Sequence, residues 1–393
     1  MMNIPAIAWA AKFCSLCMPR CLCYYTDSYY DQYSERRSPV NQNILIPILT
    51  LLFYLTSVLG GGQNPPNPGL VPQTQQARLH DKSVLGYYLL DSSSYNSLIQ
   101  NSSSLTGIAP WSWGLDSYGN LNADFDPEAL GKVLEFAGTR KIETYALIHN
   151  MFNGSFDSRV VKALLDNEIA RARAISQIRS AAADWGLTGI NLDLENVPAS
   201  HRQALTSFVA ELSDALHEDG IKLTMAVPAK TADNPQHGYS GAFDYAELGK
   251  HVDQLVIMAY DQHYRTGPAG PIAAADWVEA VVEYAVSQVP SSKIVLGIPN
   301  YGYDWPKSGI ASATTYDQTM QLAAREGASI KWHNEYKVPY FTYGSGRQVW
   351  FENRYSIKYK LELVNQYKLH GIALWRLGQE DPGIWQVINS TLE

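Results

Sequence analysis

Gly189-Ile190-Asn191-Leu192-Asp193-Leu194-Glu195 is the stretch on which the reading of this chain turns. Polar and apolar residues alternate there with the period of a strand. Asn191, Asp193 and Glu195 share one face, and Ile190, Leu192 and Leu194 share the other. Two carboxylates and an amide on one inward face are costly unless they bond to each other or to a ligand. Trp185-Gly186-Leu187 leads in and Asn196-Val197-Pro198 leads out, so the polar row ends where a strand becomes a loop. An edge strand with one wet face is the bland alternative. It would leave the opposite face too apolar for its length. A catalytic strand end in a barrel fits better.

Short apolar runs alternate with longer amphipathic stretches from Ser83 onward. Strands are expected at Val84 to Leu89, Thr106 to Pro110, Glu143 to Ile148, Leu187 to Asp193, Lys222 to Val227, Gln254 to Tyr260, Lys293 to Pro299 and Gly371 to Trp375. Helical patterns lie between most of them: Pro127 to Phe136, Asp157 to Ala183, His201 to Glu218, Tyr245 to Lys250, Ala273 to Ser287 and Ser356 to Tyr367. Continuous apolar strands covered by helices indicate a parallel sheet. Eight such units over about 300 residues predict an α/β (β/α)8 TIM barrel. A doubly wound sheet is the runner-up, weakened because no glycine-rich phosphate loop follows the first strand. The interval Tyr301 to Val349 is too long for a turn. A helix at Thr315 to Glu326 and short strands within Ile330 to Tyr343 predict a small α+β insertion between strands seven and eight, at about 303–349.

The chain has 393 residues and a net charge of -8, which argues against a nucleic-acid surface. Its 10 Trp and 25 Tyr suit a sugar cleft as well as a core. All four cysteines, Cys14, Cys17, Cys21 and Cys23, precede the barrel region and lack zinc-site spacing. The barrel region has no cluster of metal-ligand spacing, and neither metal nor cofactor is expected. The apolar run Ile44 to Gly60 (ILIPILTLLFYLTSVLG) follows Arg36-Arg37. It reads as a secretory signal or a short membrane anchor, giving an exported protein with membrane attachment through residues 44–60 as one option. The expected organisation is an N-terminal extension at 1–60, a Pro-, Gly- and Gln-rich linker at 61–82 and the barrel at 83–393.

The strand Gly189 to Glu195 resembles the catalytic strand of glycoside hydrolase family 18, which closes on an aspartate-x-aspartate-x-glutamate run. Asp193 and Glu195 match. Thr188 stands where the signature starts with Asp, and Asn191 replaces the next Asp. With Asn196-Val197 following, this looks like the spore-germination and cortex-lytic branch. Two further elements agree in order. Met258-Ala259-Tyr260-Asp261 resembles the family's Met-x-Tyr-Asp motif, and Gly371-Ile372-Ala373-Leu374-Trp375 resembles its last strand.

The resemblance implies retaining, substrate-assisted hydrolysis of β-1,4-linked N-acetylglucosamine bonds in a polysaccharide, in peptidoglycan or spore cortex, with chitin as the alternative. Glu195 would be the general acid and then the base. Asp193 would orient the substrate acetamide, with Asn191 bonded to it and Tyr260 donating to the acetamido oxygen. A direct nucleophile at Asp193 is the other chemical option. Substrate contacts are expected from Asp261, Met258 and Trp375, and from Tyr87, Trp111, Asn150 and Tyr301. Rim positions are Tyr87, Trp111, Trp113, His149, Asn150, Pro228 and Asn300 to Trp305, with Tyr301 among them. Gln262 to Tyr264 and Gly267 to Pro271 would form a stiff loop over the cleft. A non-catalytic carbohydrate-binding wall protein is the second class of function.

Overall fold

The computed structural model describes residues 80–123 and 125–393. Eight parallel strands close on themselves: β1 (Ser83–Tyr88), β2 (Gly107–Pro110), β3 (Glu143–His149), β4 (Gly189–Asp193), β5 (Lys222–Pro228), β6 (Gln254–Met258), β7 (Ile294–Pro299) and β8 (Gly371–Trp375). Each pairs with the next, and β8 returns to β1. This is the expected (β/α)8 barrel, and its strands lie within two residues of the predicted bounds.

The alternation in Gly189 to Glu195 explains how β4 is seated. Ile190 and Leu192 are fully buried in the layer between barrel and helices, with Leu205, Phe208 and Leu212. Each such aliphatic side chain contributes about 1.5–3 kcal/mol on burial. The opposite face points into the barrel, where Leu85, Tyr87, Tyr145, Leu147, Val256 and Val295 form a separate core. At Gly189 a Cβ would meet the Tyr145 ring at 2.6 Å and the Lys222 carbonyl at 2.9 Å. Only glycine lets the strand enter the barrel there.

The predicted helix Asp157 to Ala183 is two helices, Ser158–Leu165 and Glu168–Asp184. Asn167 leaves the helical conformation (φ -120°, ψ 108°), and its side chain accepts from the amides of Ile169 and Ala170. It restarts the chain as an N-cap. Two helices went unread: Ser92–Asn101, capped by Asp91, and Ile384–Thr391. The first is serine-rich and carries little apolar periodicity.

Between β7 and β8 an antiparallel sheet is inserted, in the order Ser312–Thr315, Tyr301–Trp305, Arg347–Phe351, Val338–Tyr343, Lys331–His333. It carries the helix Tyr316–Arg325, which opens with a Thr315/Gln318 capping box. Its first strand begins two residues ahead of the expected insertion, immediately beyond β7 and Asn300.

The cysteines and residues 44–60 lie outside the described residues, as does 61–79 of the expected linker. The expectation of membrane attachment is corrected. Among the described residues, no helix is long and apolar enough to cross a membrane. The hydrophobic run that suggested it had composition alone behind it, and attachment is not carried further.

Candidate active site

The C-terminal ends of the strands surround a cleft of about 600 Å³. Asp193 and Glu195 line it, at 5% and 8% exposure. Asn191 lies deeper and is completely buried. The Tyr87 hydroxyl donates to Asn191 Oδ1 (3.1 Å), and Asn191 Nδ2 donates to Thr224 Oγ1 (2.8 Å). The expected bond to Asp193 is thus replaced by bonds to Tyr87 and Thr224, and the amide satisfies the barrel floor without adding a third charge. Asn150 fixes the backbone of Glu195 from both sides. Its Oδ1 accepts from the Glu195 amide and its Nδ2 donates to the Glu195 carbonyl, each at 2.9 Å. Asn196, in the left-handed region at φ 54°, donates to the Phe156 carbonyl and turns the chain out of the barrel.

Burial pushes Asp193 up to about 7. Glu195 is raised well above the carboxylate range by burial first and then by the Asp193 charge, with the Tyr239 hydrogen bond pulling the other way. Two like charges so close in a poorly solvated site do not both ionise readily. Glu195 carries the additional push from the Asp193 charge, so burial and a like-charged neighbour both favour its acid form. Asp193 Oδ1 is buried and has no hydrogen-bond partner among the described residues. A carboxylate oxygen in that state is an open acceptor for an N–H.

Met258 ends β6, Tyr260 and Asp261 follow it, and all three line the same cleft. Burial pushes Asp261 up to about 6, against hydrogen bonds from the Tyr301 and Tyr303 hydroxyls at 2.6 and 3.0 Å. Both tyrosines belong to the inserted sheet, so the insertion reaches the chemistry directly. Trp375 ends β8 in the cleft, 5.1 Å from the Tyr87 ring centroid. Gln262 and Tyr264 of the loop after β6 also line it, as does Pro228.

Other expected residues make contacts around the site. Trp111 stacks on His149 (4.9 Å) and meets Trp375 edge-on. His149 Nδ1 accepts from the Met151 amide, so the ring proton lies on Nε2 and is donated to Ser112 Oγ at 2.9 Å. Burial pushes this histidine down to about 4, and it stays neutral. Trp113 packs on Phe125 in the outer core. The Asn300 amide donates to the Trp375 carbonyl, and Asp304 pairs with Arg347. Among the described residues no group of three His, Cys, Asp or Glu side chains has the arrangement to hold a metal ion.

With two buried carboxylates, a tyrosine and an aromatic wall at the mouth of a barrel, the site can protonate and hydrolyse a glycosidic bond. Residues 23–380 match glycosyl hydrolases family 18. The chain belongs to that family. An uncharacterised glycosylase of Bacillus subtilis, YvbX, is 31% identical over 78% of this chain and 90% of its own. The cortical fragment-lytic enzyme of Bacillus subtilis is 31% identical over 62% of this chain, and the match spans only 58% of that enzyme. The spore cortex-lytic enzyme SleL of Bacillus megaterium superimposes with a TM-score of 0.74 at 27% identity, over 80% of this chain and 75% of that one. A chitinase of Chromobacterium violaceum gives 0.75 at 33%, over 79% and 98%. As a family 18 glycosidase the chain is an enzyme, and the non-catalytic reading is set aside.

Sequence reading missed several residues of this family 18 cleft. Tyr239 donates to Glu195 Oε2 at 2.8 Å, and His237, Trp277 and Gln379 also line the cleft. They come from loops and helix starts without a periodic pattern, so no local signal marks them. Arg376, immediately beyond β8, also lines the cleft.

Proposed function

We propose that the enzyme hydrolyses N-acetylglucosamine-containing polymers by substrate-assisted retention. Glu195 protonates the leaving oxygen, and the substrate's acetamido oxygen attacks the anomeric carbon. Asp193 accepts from the acetamide N–H and stabilises the positive charge that develops there. Tyr260 donates to the acetamido oxygen. Glu195, now a carboxylate, activates the water that completes hydrolysis. The observation that carries this reading is Asp193 Oδ1, a buried acceptor without a partner among the described residues, beside a Glu195 whose acid form is favoured by burial and by the Asp193 charge. A nucleophilic Asp193 would explain the pair equally well but gives Tyr260 no work.

The cortex-lytic and cortical fragment-lytic relatives support peptidoglycan or spore-cortex fragments as the substrate, met outside the cell in the wall or spore. Chitin oligomers are the second reading, supported by the match to nearly all of the Chromobacterium chitinase. Cortex fragments and chitin oligomers are digested side by side, with wild type and Glu195→Gln, and the products weighed by mass spectrometry. Faster release from cortex fragments is expected. Glu195→Gln should lose about 10²–10⁴-fold on both substrates. Half or more of wild-type turnover in that variant would sink the acid assignment. A trapped sugar–Asp193 ester would replace the acetamide route with a nucleophilic one.

A further inference from the structure

The loop 229–244 joins β5 to the helix Tyr245–His251 and carries no recognisable motif. Charge ties it down from both sides. The Lys230 side chain is 1% exposed and donates to Asp233 Oδ1 (2.5 Å) and to the Phe243 carbonyl (2.8 Å). Its ammonium lies 5.3 Å from the centroid of the Tyr245 ring. Arg202, which opens the helix Arg202–Glu218, reaches Asp233, Asp244 and the Gly241 carbonyl, each at 2.8 Å. At Gly241 a Cβ would stand 2.5 Å from the His237 carbonyl oxygen and 2.7 Å from that of Pro235. The loop is therefore a compact strap fixed at both ends, and its crest carries Tyr239 over the cleft.

We propose that Tyr239 is a positioning residue for Glu195, holding one carboxyl oxygen so that the other faces the bond to be cleaved. The proposal rests on Glu195 being the acid and base of the reaction. Asn150 fixes only the backbone of Glu195, and that residue lies beyond the end of β4, where no strand partner constrains its side chain. The Tyr239 hydroxyl donates to Oε2 at 2.8 Å. Oε2 is then occupied as an acceptor, and the acid's proton belongs on Oε1. Once Glu195 has given up that proton, the same bond becomes charge-assisted and strengthens. It steadies the carboxylate for its second task.

Five groups bear on Glu195 from the surrounding elements. Asp193 comes from β4, Asp261 and the Tyr260 hydroxyl follow β6, the Tyr87 hydroxyl comes from β1 and Tyr239 from the strap. Burial and the two aspartate charges disfavour the carboxylate, whereas the Tyr239 bond favours it. Removing the hydroxyl should therefore make Glu195 a weaker acid that is also worse aimed.

The test is Tyr239→Phe, with steady-state kinetics against pH on an N-acetylglucosamine oligomer. We expect kcat to fall about tenfold or more, with KM within about twofold of wild type. The alkaline limb of kcat/KM should move to higher pH. Asp233→Asn loosens the strap without touching Glu195 and should reproduce part of the kcat loss, which keeps the test informative should Tyr239→Phe fold poorly. A raised KM with unchanged kcat and an unmoved limb would make Tyr239 a substrate contact and overturn the proposal. Unchanged kinetics in both variants would overturn it too. Glu195→Gln is assayed alongside. Near-wild-type activity there would instead remove the acid assignment on which the proposal stands.

Discussion

Asp193 ends β4 and Glu195 lies two residues beyond it, and their chemistry depends on not being equivalent. The charge of Asp193 raises Glu195, while Asp193 itself is raised by burial alone. Asn191 supplies hydrogen bonds where a third carboxylate would have deepened the repulsion. In Asp193→Asn that repulsion is gone, so Glu195 should titrate at lower pH than in wild type. Carbon-13 NMR of labelled glutamate side chains, assigned with Glu195→Gln, reads this directly. An unchanged Glu195 titration would mean that the two carboxylates are electrostatically independent. The same variant should lose turnover far more than substrate affinity, because the charge it stabilises exists only in the transition state.

Helices and loops decide which residues reach the cleft. The break at Asn167 shows how one side chain redirects an element. Asp157 caps the start of what the sequence presents as one long amphipathic stretch, and a second cap at Asn167 divides it. Asn167→Ala should lower stability by about 1 kcal/mol, measured by urea denaturation, with turnover unchanged because the cap lies on the helical layer. A variant as stable as wild type would show that packing of the second helix, not its cap, fixes the break. The inserted sheet works on the same scale. Its first strand contributes Tyr301 and Tyr303, both bonded to Asp261. The insertion is therefore part of the site's electrostatics and not merely a wall.

At the scale of the molecule, the site sets a pH dependence on stability. In the folded enzyme Asp193 is raised to about 7 and Asp261 to about 6, against ordinary aspartate behaviour near pH 4 when unfolded. The folded form binds more protons between those limits. The stability contributed by the protonated acids is complete below about pH 4 and is lost as pH rises through 6 and 7. For Asp193 this amounts to a few kcal/mol, on the order of 1.4 kcal/mol per unit. Asp193→Asn cannot ionise, so its thermal stability relative to wild type should increase steadily from pH 4 to pH 8. A constant difference across that range would show that burial does not penalise the Asp193 charge.

The barrel was legible in the chain because its determinants are local and periodic. The apolar runs of β1 to β8, the helical stripes between them and the alternation in Gly189 to Glu195 each follow from the geometry of a single element. The same alternation marked Asn191, Asp193 and Glu195 as one inward row, and Met258 to Asp261 and Trp375 stood at strand ends where such barrels carry their chemistry. The remainder was decided by tertiary contact. Trp111 and Asn150 lie at strand ends like the others, and only the folded structure shows that one stacks on His149 and the other bonds to the Glu195 backbone. Tyr239, forty-four residues from Glu195 along the chain, reaches it because Lys230, Arg202, Asp233 and Asp244 fold a loop back over the barrel mouth. No period or motif encodes such a contact: it depends on where two separate elements end once the barrel has closed.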